Sequence, residues 1–195
     1  SHSRWRNECE RRAVLPEGEI MTTHPENYED VTVYDLDASA EEELLLAHNE
    51  CTFMWANKEG WPVGVIMSYV WRKGSFWLTA SAQRARIHAV RRDPRVSICV
   101  TSTGSPLPRN KTVTWKGLCT IHESEEIKNW FYPELSEALR GDGEAAEWFA
   151  KFLDSPRRVV LEVKPKQRIA YDGEKMGIDT QAWIKRAKEI KNQKI

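Results

Sequence analysis

The strongest structural signal in this sequence lies in residues 75–100, which read SFWLTASAQRARIHAVRRDPRVSICV. The pattern predicts a strand over Ser75–Ala80, a helix over Arg84–Arg92 that ends before Pro94, and a second strand over Val96–Thr101. The end of the first strand therefore lies only a few residues from the start of the helix. Polar side chains at that junction are expected to lie close together.

The junction combines hydroxyl groups with arginines. Thr79 and Ser81 close the strand, and Arg84 and Arg86 open the helix. Backbone N–H groups at a helix start and guanidinium forks both favour an anion, and phosphate is the natural ligand for such a site. The alternative interpretation is a solvated basic face of the helix, which three further arginines would continue: Arg91, Arg92 and Arg95.

Short strands and turns surround this segment on both sides. Further strands are predicted at Cys51–Ala56, Pro62–Trp71, Lys111–Glu123 and Arg158–Val163, with Arg168–Tyr171 as a candidate seventh strand. Helices are predicted at Glu41–Asn49, behind a capping box of Ser39 and Glu42, and at Ser124–Leu139, Glu144–Leu153 and Asp179–Lys194. Six to seven short strands with a few helices favour a mainly β fold, a small antiparallel barrel with helical caps.

The same pattern suggests how the chain is organised. Residues 1–38 are polar and irregular and are expected to form an N-terminal arm. Residues 39–172 form the predicted barrel domain, with a helical insertion at about residues 124–154. The last segment, residues 173–195, is expected to be a C-terminal helix.

Composition excludes several classes of partner. The 195 residues include 29 Lys and Arg against 29 Asp and Glu, so the chain has no net charge to attract nucleic acid or an anionic membrane. Its pattern predicts neither a signal peptide nor an apolar run of membrane-spanning length. Cys51, Cys99 and Cys119 sit in apolar runs and indicate reduced, buried thiols, and for Cys51 and Cys99 these surroundings also suggest inert thiols. We therefore expect a cytoplasmic protein, and from its charge and hydropathy one that binds neither nucleic acid nor membrane.

Other common chemistries leave no signature. The five histidines share no spacing typical of metal ligands, so no metal site is predicted. No P-loop and no dinucleotide-binding GxGxxG motif occurs. No pair of residues stands out as a catalytic acid and base, so the catalytic residues stay unknown at this level.

Two stretches resemble a known group of proteins. Residues 61–81 read WPVGVIMSYVWRKGSFWLTAS and residues 91–100 read RRDPRVSICV. Their order and spacing are similar to the flavin-binding split β-barrel superfamily, which includes pyridoxamine-phosphate oxidases and F420-dependent reductases. The resemblance covers residues 40–123, whereas residues 1–38 and 124–195 match only loosely. It implies a split β-barrel that works as a homodimer.

The resemblance also implies a set of cofactor-binding residues. The predicted strand Pro62–Trp71 would lie along the edge of a flavin ring system. The next strand, Ser75–Ala80, would lie under the phosphate-bearing chain of the flavin. Arg86 holds the position of a phosphate-binding lysine of the family, with Arg84 close by. The full implied set comprises Val65, Ile66, Met67, Ser68, Thr79, Ala80, Ser81, Arg84, Ala85 and Arg86, together with Trp115 and Lys116 beside the cofactor of the other subunit.

The sequence departs from the family's patterns in three places. Val65 stands where pyridoxamine-phosphate oxidases carry an arginine, and Arg84-Ala85-Arg86 replaces their Ser-Arg-Lys run. Ala89 stands where many F420-binding relatives carry an asparagine. These departures argue against pyridoxal phosphate synthesis and leave both FMN and F420 open as cofactors.

The resulting expectation is an FMN- or F420-dependent oxidoreductase that acts on a small aromatic or conjugated substrate. In such enzymes the cofactor carries the redox chemistry, and the protein positions the substrate and excludes water. The loop at residues 101–112, with Arg109 and Lys111, is a candidate gate or anion-binding segment. The alternative is a non-catalytic flavin- or heme-binding carrier or sensor with the same fold.

Overall fold

The computed structural model describes residues 31–108 and 110–193, and within them six antiparallel strands close a β-barrel. The strands are β1 (Glu50–Ala56), β2 (Pro62–Arg72), β3 (Ser75–Ser81), β4 (Arg95–Thr101), β5 (Lys111–His122) and β6 (Arg158–Asp172). Around the barrel they follow the order β1-β2-β3-β6-β5-β4. The predicted six-stranded barrel is confirmed, and the candidate seventh strand is the second half of β6.

A bulge explains why β6 looked like two strands in the sequence. The β5–β6 register shifts between Lys116 and Gly117, which pair with Gln167 and Pro165. A Cβ atom on Gly117 would lie 2.7 Å from the backbone oxygen of Lys164, so only glycine fits there. The bulge admits Pro165 without ending the strand.

Five α-helices and a short 3₁₀ helix at Val31–Tyr34 complete the described part of the chain. They are α1 (Ala38–Ala47), α2 (Ala85–Arg92), α3 (Glu125–Arg140), α4 (Glu144–Leu153) and α5 (Gly173–Gln193). None of the helices in the described ranges is long and apolar enough to cross a membrane. Residues 1–30 of the predicted N-terminal arm lie outside the described residues, as do Cys9, Arg109 and residues 194–195.

Two helix starts differ from the sequence prediction. The predicted capping box at Ser39 and Glu42 is wrong, because α1 already begins at Ala38 and its N-cap is Asp37. The Asp37 carboxylate makes no cap bond and instead accepts a hydrogen bond from Lys175 Nζ at 3.1 Å. Helix α5 begins at Gly173 rather than at Asp179, since it follows β6 directly.

The interior of the barrel is apolar because alternate residues of each strand point inward. Phe53, Tyr69, Phe76, Ile98 and Leu161 are almost completely buried there. A second apolar cluster lies outside the barrel, where α3 and α4 cover one face of β2, β3 and β6. Its buried members are Val70, Phe131, Tyr132, Leu135, Leu153 and Val160.

The barrel is split between β2 and β3. These two strands pair only from Tyr69 opposite Leu78 to Arg72 opposite Ser75. The first part of β2, residues 62–68, pairs with β1 alone, and the last part of β3, residues 79–81, pairs with β6 alone. The two strands therefore separate beyond Tyr69, and the backbone of β2 keeps an open edge.

One outer face of the barrel carries a continuous row of uncharged side chains across five strands. Ile66 pairs with Thr52, Thr52 with Cys99, Cys99 with Thr114, and Thr114 with Ile169. Ile66 and Ile169 are 63% and 62% exposed. The row is therefore an uncharged strip of the outer surface with an exposed isoleucine at each end.

Candidate functional site

The end of β3 and the start of α2 form a polar junction, as the sequence predicted. The Arg84 N–H donates to the Ser81 carbonyl at 3.0 Å, which fixes a tight turn between the two elements. Arg84 is the N-cap of α2, and its side chain makes no cap hydrogen bond. The first N–H groups of a helix have no partner within the helix. This helix start is therefore suited to bind an anion.

Arg86 is the most unusual side chain at this junction. It is half-buried, and its Nε is fully buried without a hydrogen-bond partner. Burial lowers the pKa of Arg86, and the neighbouring positive charge of Arg84 lowers it further. Among the described residues, no carboxylate forms an ion pair with Arg84 or Arg86. A buried donor left without a partner costs about 1–3 kcal/mol, a cost that a bound anion would remove.

The two predicted hydroxyl residues lie on the outer face of β3. The Thr79 hydroxyl donates to the carbonyl of Val159 at 2.8 Å, so its oxygen remains as an acceptor only. Ser81 is half-buried, and its hydroxyl makes no hydrogen bond to any residue in the described ranges. Of the two hydroxyl groups, that of Ser81 can therefore donate a hydrogen bond to a ligand.

A third arginine, Arg158, lies beside Ser81. The two residues are directly opposite each other in the β3–β6 pairing. Arg158 is half-buried, and its Nε is also fully buried without a hydrogen-bond partner. From the sequence, Arg158 is predicted only as the first residue of a strand. The residues around Arg158 in the sequence do not indicate that it lies beside Ser81. That position depends on the pairing of β6 with β3, which is distant in the sequence.

Strand alternation divides the other predicted residues between two faces. Ile66 and Ser68 point outward from the open edge of β2. Val65 and Met67 point into the barrel, where Met67 is buried, and Ala80 is also part of the interior. Val65, Met67 and Ala80 could therefore contact a ligand only through their backbone, at the split between β2 and β3.

Trp115 and Lys116 are neighbours in sequence but lie on opposite faces of β5. The Trp115 ring packs against the core of the barrel. Lys116 points outward and lines a groove of about 510 Å³, whose apolar walls include Trp55, Met54 and Leu118. Its Nζ lies 3.5 Å from the Gln167 side-chain oxygen. Of this predicted pair, only Lys116 therefore faces the outside of the barrel.

Lys111 and the buried cysteines are not free to react or to bind a substrate in the way that exposed, unpaired side chains are. Lys111 lies 3.1 Å from Glu174 and 3.8 Å from Asp172, so its charge is already balanced and it is not free to bind a substrate. Cys51 and Cys119 are free, buried thiols. Burial raises the pKa of both, that of Cys119 to about 12, which favours the protonated, unreactive form of these thiols. Cys99 differs from the expectation, because it is only half-buried.

Several solved structures share this fold at identities below 25%. A conserved hypothetical protein from Mycobacterium tuberculosis is 21% identical, with a TM-score of 0.64 over 74% of this chain and 90% of that one. A protein described as an F420 reductase is 19% identical, with a TM-score of 0.52 over 66% and 94%. The heme storage protein HutZ from Vibrio cholerae is 14% identical, with a TM-score of 0.55 over 69% and 94%.

A family comparison extends the likeness from fold to sequence. No curated protein matches the sequence. The family model described as pyridoxamine 5'-phosphate oxidase, however, matches residues 38–171. That range is well over half of the chain and contains the whole barrel except the last residue of β6. This match confirms the resemblance, and the chain belongs to the pyridoxamine 5'-phosphate oxidase family of split β-barrels.

Proposed function

We propose that this protein is an oxidoreductase that uses a phosphate-bearing flavin-type cofactor, FMN or, as the alternative, F420. The observation that carries the proposal is Arg86. Its buried Nε has no partner, a second arginine lies beside it, and no described carboxylate balances either charge. A phosphate would supply the missing negative charge and the missing acceptor.

The residues at the split between β2 and β3 fit both the phosphate group and the ring system of such a cofactor. Arg84, Arg86 and Ser81 would hold the phosphate at the start of α2. The open edge of β2 at residues 62–68 offers unpaired backbone groups to the polar edge of a flat ring. When bound, the cofactor would supply hydride or electron transfer. The chain itself would hold the phosphate, orient the ring and exclude water.

The proposal extends to a homodimer. The uncharged outer row from Ile66 to Ile169 is a suitable contact surface for a second copy. Lys116 and its groove lie on the same side of the sheet, because Lys116 pairs with Ser97, two residues from Cys99. A small aromatic or conjugated substrate would fit the apolar walls of this groove beside the dimer contact.

The direct experiment is to record the absorption spectrum and mass of whatever co-purifies with the protein. The stripped protein is then titrated with FMN and with F420, and turnover is measured with NAD(P)H or reduced F420. We expect the protein to bind FMN or F420 tightly. We also expect slow oxidation of NAD(P)H or of reduced F420, with an added electron acceptor taking up the two electrons. A protein that binds neither would contradict the proposal. A bound flavin or heme without turnover would favour the carrier or sensor function.

A further inference from the structure

Arg158 is placed by the sheet rather than by its sequence neighbours. It is the first residue of β6 and lies opposite Ser81, the last residue of β3. Directly opposite residues of an antiparallel pair point to the same face, with Cβ atoms about 5 Å apart. Two residues along the ladder, Thr79 lies opposite Val160. Val160 is part of the cluster beneath α3, so Arg158 lies at the rim of that covered face.

The surroundings of Arg158 do not explain its burial. The Tyr132 phenol of α3 lies near Thr79, Lys128 and Arg158, and burial raises its pKa. Lys128 is already paired with Glu125 at 2.8 Å. Asp154 also acts on Tyr132, but within the described residues neither it nor any other carboxylate forms an ion pair with Arg158. The guanidinium is thus partly desolvated and lacks a counter-ion.

Its neighbour Arg157 shows the contrast. Arg157 is exposed, and its backbone carbonyl accepts a hydrogen bond from the Ala82 N–H at 2.7 Å. That bond ties the start of β6 to the turn between β3 and α2. The side chain of Arg157 is solvated, as is normal for an unpaired arginine. Of these two adjacent arginines, Arg158 alone has a buried side-chain N–H without a hydrogen-bond partner among the described residues.

We propose that Arg158 is a third arginine of the anion site and that it binds the phosphate group of the ligand from the β6 side. The site is then two-sided, with Arg84 and Arg86 on α2, Arg158 on β6 and the Ser81 hydroxyl between them. The inference rests on the proposed function for the identity of the ligand, but not for its anionic character. Arg158 makes the site selective for a phosphorylated ligand.

The test compares Arg158→Met with Arg157→Met, which removes the same charge from the adjacent position. FMN and riboflavin are used as probes, because they differ only in the phosphate. We expect Arg158→Met to weaken FMN binding about tenfold or more and to leave riboflavin binding unchanged. Arg157→Met is expected to bind both like the wild type. Equal FMN affinity in Arg158→Met and wild type, or an equal loss of both ligands, would overturn the inference.

A second measurement separates this inference from the proposed function. If the wild type binds neither FMN nor F420, the cofactor proposal fails, and thermal unfolding in inorganic phosphate or pyrophosphate decides the role of Arg158. We expect these anions to raise the melting temperature of the wild type and of Arg157→Met, but much less that of Arg158→Met. An equal rise in all three proteins, or none in the wild type, overturns the inference.

The conservative variant Arg158→Lys controls for a folding defect in Arg158→Met. Lysine keeps the charge and the stem but lacks the Nε–H and the planar fork of arginine. We expect this variant to fold and to bind FMN several-fold more weakly than the wild type. Wild-type affinity for FMN in Arg158→Lys would show that the buried Nε–H plays no part in binding.

Discussion

Ser81 and Arg158 lie directly opposite each other at the end of the β3–β6 ladder, so a hydroxyl and a guanidinium share one face of the sheet. The chain leaves Ser81 through a tight turn into α2, where Arg84 and Arg86 follow. One short segment of β3 therefore brings together polar groups from two distant parts of the sequence. Within the described part of the chain, none of these three arginines forms an ion pair with a carboxylate.

Arg86→Met tests the phosphate site from the α2 side. A hydrogen bond to a charged group contributes about 1.5–3 kcal/mol, so FMN binding is expected to weaken about 10- to 100-fold. Riboflavin affinity should not change. The stripped variant should be at least as stable as the wild type, because the substitution removes a partly buried, unpaired cation. Fluorescence titration and thermal unfolding measure the two effects.

The matched control for this variant is Arg91→Met on the same helix. Arg91 is exposed and pairs with Glu123 at 3.0 Å, an interaction of little energetic value at the surface. Its removal should change neither FMN affinity nor stability appreciably. Similar losses of FMN affinity in both variants would indicate a general charge effect and would contradict a specific role for Arg86.

Ile169→Glu tests the proposed dimer surface. A carboxylate in the uncharged row would have to be buried without a partner on dimerisation, so the variant should be largely monomeric. Light scattering after size-exclusion chromatography gives the mass directly. Phe152→Glu is the control, since Phe152 is 71% exposed on α4, away from the row, and Ile169 is 62% exposed. A dimeric Ile169→Glu would place the contact elsewhere.

Gly117→Ala tests the bulge that keeps β6 continuous. The new methyl group would lie 2.7 Å from the Lys164 carbonyl oxygen and 2.8 Å from Val163 Cγ1. Because the backbone at Lys164 cannot move away easily, we expect the free energy of unfolding to fall by about 1–3 kcal/mol. Gly177→Ala in α5 meets nothing within 4 Å and should be neutral or stabilising by up to about 1 kcal/mol. Urea unfolding compares the two, and equal stabilities would show that the bulge adapts.

The buried thiols predict how stability depends on alkaline pH. The pKa of Cys119 rises from 9.0 to about 12 in the folded protein, and that of Cys51 is also raised, in both cases by burial. Above pH 9 the unfolded chain loses these protons first, so stability falls as the pH rises toward 12. Each thiol contributes up to about 1.4 kcal/mol per pH unit.

Urea unfolding over this pH range measures the effect as a slope. In the double variant Cys51→Ala/Cys119→Ala, the free energy of unfolding should fall less steeply with pH than in the wild type. This difference in slope does not depend on how much stability the cavities left by the substitutions remove at neutral pH. An identical slope in both proteins would mean that the thiols reach solvent in the folded state. At neutral pH, alkylating reagents should modify the half-buried Cys99 before either buried thiol.

The sequence predicted the barrel well because its strands have local signals. Alternation and turns marked β1 to β5 to within a residue or two, and the family resemblance supplied their closure. Both the bulge at Gly117 and the early start of α5 were missed. The first depends on contact between Gly117 and Lys164, and the second on α5 following β6 without a loop. Neither feature has a local signature.

The candidate site was only partly predictable. Arg84, Arg86 and Ser81 follow one another in the chain, so their meeting could be inferred from a strand–helix junction. Arg158 could not, because its position beside Ser81 depends on which strand pairs with β3. The inward orientation of Met67 and Ala80 could have been expected from strand alternation, once the core face was known.

The short β2–β3 ladder has a consequence for how the barrel opens. Four residue pairs join these strands, whereas twelve join β5 to β6. The seam beside residues 62–68 is therefore weaker than the β5–β6 seam, and amide hydrogens there should exchange with solvent long before those of β5 and β6. A cofactor ring seated against that seam would slow this exchange. The protein would then be a more rigid and less aggregation-prone molecule when loaded than when empty.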